Sequence, residues 1–413
     1  MRTTRFPLLV IAGMFLASIT AIGETFLMDA TGFKDAAERA KIDQAASSLL
    51  ATNDDLPALE TLLAFFGDYR LYPTAGSFLF YSNADATTSK AHQAVGFNHS
   101  TNLLVAALNR GSESAAYWAL YYLKIHSTIQ VPRRPAPLPD AIFAANKDRP
   151  PKLRAVALDV ICDKGLTDDV PALLKSRLQD RDELVVAVAV SRLAMINRGQ
   201  RALPGRDVQT DQLVWRKLAE AKTDELAAGC LRYIWLVDDP NVNPAVTETQ
   251  ATLLDSVSRS THSAVRAAAA RAISAHATPG SSAMIVLLLR LADDKDELVA
   301  GAALGGLDNA DTPEINQVLR QYFNSKRSSL VRSAALGTLG HFGSKNPDVF
   351  LAAAEDSDPN IRADATMYLR LFGGANALAA LESLTNDPES NVRRQAVTQL
   401  EWARKEAKAH AGP

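Results

Sequence analysis

The stretch Asp356-Ser357-Asp358-Pro359-Asn360-Ile361-Arg362, followed by Ala365 and Leu369, decides the fold. Acidic and proline-containing residues make a turn, Pro359 can open a helix, and the apolar anchor Ile361 is followed by small and aliphatic residues in steps of four. Steps of four lie along one face of an α-helix, so Ile361, Ala365 and Leu369 form a buried stripe. A small residue in its middle lets a neighbouring helix come close.

The same pattern recurs on both sides. Val265-Arg266 leads to Ala269 and Ile273, Val331-Arg332 to Ala335 and Leu339, and Val392-Arg393 to Ala396 and Leu400; Val299, Ala303 and Leu307 repeat it without the Arg. Successive anchors from Val265 to Val392 are 34, 32, 30 and 31 residues apart, a period that means stacked helical pairs. Upstream, Leu153-Arg154, Val185 and Leu226 begin further units, with Cys230 as the small residue of the last. The longer spacings around Leu226 place loop insertions at residues 197–212 and 238–248, rich in Gly, Pro, Asn or Asp. An apolar helical segment precedes each anchor, as in Ile315–Phe323 and Val349–Ala354.

These units resemble HEAT repeats of the short kind found in phycobilin-lyase-like proteins, whose signature is Asp-x-x-Val-Arg-x-x-Ala. The resemblance covers roughly residues 149–405, is specific in the last five units, and weakens at Leu226 and upstream of Leu153. It implies an all-α fold, an α-α superhelix in which the turn acid and the Arg form a ladder between repeats. Arg266, Arg332 and Arg362 occupy the Arg position, and Asp358 with Arg362 fits the spacing. Asp387 with Arg393 departs from it by two residues.

The expected organisation is a signal peptide at 1–23, a mostly helical, irregular N-terminal cap at 24–131, a Pro-rich connector at 132–151, the array at 152–405 and a tail at 406–413. Arg2 and Arg5 precede an apolar run from Phe6 to Gly23, and Ala21-Ile22-Gly23 offers small residues for cleavage before Glu24. The expectation is export, to the periplasm or an equivalent compartment; an uncleaved segment would instead touch a membrane. In the cap, Asp35–Ala51, Leu56–Phe66, Asn102–Leu108 and Ala115–Ile125 read as helices. Twelve of the 27 aromatics fall between Phe65 and Tyr122, either as the core of a cap or as an aromatic-lined surface. The connector holds six of the 19 prolines and reads as stiff.

A net charge of −2 with 22% charged residues gives no general basic footprint for nucleic acid. Positions two, six and nine after each anchor point away from the buried stripe and are the expected ligand-facing set. They include Asp159, Cys162, Arg232, Trp235, Arg271, Asp308, Arg370, Arg394 and Glu401, with no His and no close carboxylate pair. Arg232, Trp235, Arg271, Arg370 and Arg394 are therefore candidate partner-binding residues on a slightly basic face. His92 and His99 lack a third ligand at metal spacing, and Asp293, Asp294, Asp296 and Glu297 suit helix capping better than calcium. Arg198, Arg201 and Arg206 make one loop basic. Neither a catalytic constellation nor a cofactor motif is found.

The expected function is an exported scaffold that binds a protein or peptide through the solenoid surface, without catalysis. The family resemblance implies one alternative, a lyase-like enzyme of the chromophore-attachment kind. A membrane-anchored structural component of the envelope is another.

Overall fold

A computed structural model describes residues 25–29, 33–52, 54–67, 78–82, 85–96, 101–129, 140–163, 169–197, 208–237, 246–278, 280–343 and 346–410. The expected signal peptide and the basic loop bearing Arg198, Arg201 and Arg206 lie outside these residues. Among them the fold is all-α apart from one short ladder, and no helix is long and apolar enough to cross a membrane. The chain divides into two compact units, residues 1–193 and 194–413.

In the first unit β1 (Thr25–Asp29) pairs in parallel with β2 (Phe78–Ser82), in register Thr25 to Phe78, a ladder the sequence did not announce. The helices are α1 (Ala36–Thr52), α2 (Leu56–Phe65), α3 (Ala86–Gly96), α4 (Thr101–Arg110) and α5 (Glu113–Ile129). Asp55 starts α2 by accepting from the Ala58 N–H, with Pro57 in the first turn where its missing N–H costs nothing. Phe66, Tyr117, Trp118 and Tyr122 are buried, so these four aromatics of the region serve the core. Trp118 donates its indole N–H to the Gly67 carbonyl at 3.1 Å. His92 stacks on Phe66 with ring centroids 4.3 Å apart and shares a hydrogen bond with the Tyr122 hydroxyl. Burial lowers the His92 pKa to about 4.

The connector is not a stiff spacer throughout. Its described part folds into α6 (Asp140–Asp148), which packs on α7 (Pro151–Asp163) as the first helix of the first pair. Ile142 and Ala145 are buried there, so apolar spacing outweighs the flanking prolines. Pro150 and Pro151 stand between the two helices and at the start of α7, where proline is tolerated. The second pair is α8 (Asp169–Arg177) and α9 (Glu183–Asn197), and the division between the units falls within α9, after Leu193.

The second unit continues with α10 (Val208–Glu220) and α11 (Asp224–Val237), α12 (Glu248–Val257) and α13 (Ser263–Ser274), and α14 (Ser282–Ala292) and α15 (Glu297–Gly305). It ends with α16 (Pro313–Phe323) and α17 (Ser329–His341), α18 (Pro347–Ala354) and α19 (Pro359–Phe372), and α20 (Ala375–Leu384) and α21 (Ser390–His410). Each first helix packs on its own second helix, and the second helices pack in a row, α11 on α13, then α15, α17, α19 and α21. This is a HEAT-like solenoid. Every anchor, small and aliphatic residue of the stripes is buried, from Leu153, Ala157 and Ile161 to Val392, Ala396 and Leu400. Each buried aliphatic contributes about 1.5–3 kcal/mol, which makes the stripe the main cohesive element of a repeat.

Small residues set how closely the row packs. A Cβ on Gly306 would lie 2.6 Å from the Ser274 Cβ of the preceding repeat, and one on Gly340 would lie 2.0 Å from the Tyr368 ring of the next.

Candidate functional site

The ladder between repeats exists but uses other acids than the spacing suggested. Arg362 donates to both carboxylate oxygens of Asp387 at 2.6 and 2.9 Å, and to the Asp356 and Ser357 carbonyls of its own turn. Arg266 does the same with Asp294, at 2.7 and 2.8 Å, and with Ser260 and Thr261. Arg154 reaches Asp180 at 2.7 Å, and Arg332 pairs with Asp356. In each pair the acid lies in the turn of the following repeat, five residues before that repeat's anchor.

Asp358 is therefore not a ladder residue. It caps α19 by accepting from the Asn360 N–H at 2.9 Å. Asp387 serves Arg362 and not Arg393, which donates to the Asp387 and Pro388 carbonyls. The reason is geometric: a side chain at the start of a second helix reaches forward to the next turn, while the acid nearest in sequence is used to cap its own helix. Where the Arg is replaced, as at Val186, Ala227 and Ala300, the matching acid is absent too, with Ala221, Ser260 and Lys326 in its place. The paired Arg raises its own charge stability and holds Asp294 and Asp387 below the usual carboxylate range.

The acids around residue 294 divide their work. Asp296 caps α15, Asp294 is the ladder acid, Asp293 accepts from the Tyr322 hydroxyl, and Glu297 accepts from the Ser328 N–H. In the first unit Asp159 is buried, not ligand-facing, and pairs with Lys124 of α5 and Arg192 of α9. Position six after an anchor is covered there by a neighbouring helix, which spacing alone does not reveal. Cys162, one turn on, is half-buried, and Cys230 is fully buried in its stripe.

The five candidate partner-binding residues separate into two kinds. Arg232 and Trp235 on α11 and Arg271 on α13 come together: the Arg271 guanidinium lies over the Trp235 ring, 5.9 Å from its centroid, with Arg232 close enough to disfavour its charge. Burial is the larger cause of that lowering. Arg370 is occupied, donating to Gln399 at 2.8 Å and Glu406 at 2.6 Å and lying over Trp402. Arg394 is exposed near the end of the row and donates to Asn391 at 2.8 Å.

One polar clamp was missed in the sequence. Arg320 on α16 donates to both oxygens of Asp348, at 2.6 and 3.0 Å, and to the Asn346 side-chain oxygen at 2.7 Å. Arg320 and Asn346 border an open depression of about 390 Å³ with Thr312, Asn316 and Gln317. Among the described residues no group of three metal-ligating side chains assembles.

Residues 347–411 match the family model for HEAT repeats. The matched HEAT segment spans the last two helix pairs, α18 to α21. No curated protein matches the chain. Similar solved structures include an engineered protein at 19% identity, covering 58% of this chain and 98% of that one at TM-score 0.32. A second engineered protein is 16% identical over 89% of this chain and 94% of its own, at TM-score 0.38. Human deoxyhypusine hydroxylase in complex with glycerol is 18% identical over 64% of this chain and 96% of its own, at TM-score 0.28. Likenesses this low carry no inference about function.

Proposed function

We propose that the chain is an exported scaffold that binds a protein or peptide partner on the face of its second-helix row and catalyses no reaction. The observation that carries this is the Arg232, Trp235 and Arg271 group, built from two successive repeats. The other charged side chains described above mostly serve the array itself, as ladder, caps and clamp. A repeat array offers a long surface assembled from many helices, which suits an extended partner. Support for export comes from the sequence of residues 1–23.

The test is crosslinking and capture from the native envelope fraction, using the tagged protein, the variant R232E/R271E and the control R216E on α10. One partner recovered with wild type and control but lost with R232E/R271E supports the reading. Equal recovery with all three, or none with any, removes it. Mass spectrometry of the mature protein checks export, with Glu24 as the expected first residue.

A further inference from the structure

Arg271 differs from the other half-buried arginines of its unit in what it touches. Arg266, Arg290, Arg320, Arg332, Arg362 and Arg370 each reach a carboxylate, and Arg327 donates to the Asp294 carbonyl. The Arg271 guanidinium reaches none among the described residues; its contact is the Trp235 ring. A half-buried guanidinium without an acceptor costs stability, and a bound anion recovers that cost. Arg232, exposed on the preceding repeat, adds a second positive charge.

The next helix of the row carries small residues on the same face. Gly305 holds the register position on α15 that Arg271 holds on α13, six residues after the anchor, and the two helices pack together. Apart from its own helix, a Cβ on Gly305 would meet nothing within 4 Å, and the nearest neighbours of one on Gly301 would be Leu330 and Ala334, no nearer than 3.6 Å. The site is therefore a cation backed by an indole, with small residues at the matching positions of the next helix in the row.

The charge distribution selects the kind of anion. Binding to a phosphate polymer strengthens with each phosphate neutralised and needs cations spaced along the track. Here the face cations are not spaced as a track: Arg232 and Arg271 stand together, Arg370 is taken by Glu406 and Gln399, Arg394 stands four repeats further on, and the chain as a whole carries −2. A planar guanidinium can take a single carboxylate through two parallel N–H donors. We propose that Arg271, backed by Trp235 and flanked by Arg232, binds a side-chain carboxylate of an acidic peptide segment. This rests on the scaffold reading and names the chemistry its partner presents.

The experiment measures fluorescence anisotropy of a labelled short polyglutamate peptide titrated with the mature chain, alongside a polyglutamine peptide and with pyrophosphate as competitor. The variants are R271M, R271K and the control R216M, each checked by circular dichroism melting. Polyglutamate is expected to bind and polyglutamine not. R271M is expected to lose about tenfold or more in affinity, as a charged hydrogen-bonded contact implies, with R271K between it and wild type and R216M unchanged. Because Arg271 has no ion pair to lose, R271M should melt no lower than wild type, which separates lost binding from lost folding. Polyglutamate binding no tighter than polyglutamine, R271M binding like wild type, or a site that takes pyrophosphate but not polyglutamate each overturns the proposal. Partner capture by R271M equal to wild type, with no polyglutamate binding, sinks this site and leaves the scaffold. Polyglutamate binding with no partner captured does the reverse.

Discussion

Arg362 and Asp387, in successive repeats and 25 residues apart in sequence, hold each other through two hydrogen bonds of 2.6 and 2.9 Å. Both side chains are largely buried, at 13% and 4% exposure. Removing one member leaves an uncompensated buried charge, so R362M and D387N should each destabilise by about 3 kcal/mol. The double variant R362M/D387L should recover part of the loss. Urea unfolding followed by circular dichroism checks this; single variants within experimental error of wild type would show that the ladder is ornamental.

The ladder also sets an acid limit. Asp294 and Asp387 are held below the ordinary carboxylate range, mainly by the hydrogen bonds from Arg266 and Arg362. A depressed folded-state pKa stabilises above the unfolded value of about 3.9, and that stability is lost as pH falls through the folded value. Melting temperature should therefore drop steeply below about pH 4, and less steeply in R362M/D387L. Identical slopes in the two proteins would refute the assignment.

In the first unit His92 acts in a higher window. Its folded-state pKa of about 4 lies below the unfolded value of about 6.5, so the unfolded chain binds the proton first. Stability should fall as pH drops from about 6.5 to about 4, by up to roughly 3 kcal/mol, and H92F should flatten that segment of the profile. Titration of the His92 ring by NMR gives the direct reading, and a midpoint near 6.5 would contradict the burial argument.

Two glycines of the same row should respond in opposite ways. G340A places a methyl group 2.0 Å from the Tyr368 ring and should destabilise by about 1–3 kcal/mol. G305A meets open space on a helix and should stabilise by up to about 1 kcal/mol. Denaturant midpoints measure both, and Y368L should partly rescue G340A.

The sequence by itself determined the repeat and its core. The stripes that begin at Leu153, Val185, Leu226, Val265, Val299, Val331, Ile361 and Val392 are buried throughout, because helical periodicity is a local property written in steps of four. It also pointed to Arg232, Trp235 and Arg271 as a face, though not as a group. Pairing was beyond it. Whether Arg362 meets Asp358 or Asp387, whether Asp159 faces solvent or Lys124, and whether residues 140–148 form a spacer or a helix depend on which element packs alongside. Side-chain reach across a helix stack joins residues about 25–30 positions apart, as from Arg362 to Asp387 and Arg266 to Asp294, and local spacing carries no record of it. The tertiary structure alone decided that Arg370 is spent on Glu406 while Arg271 lies over an indole.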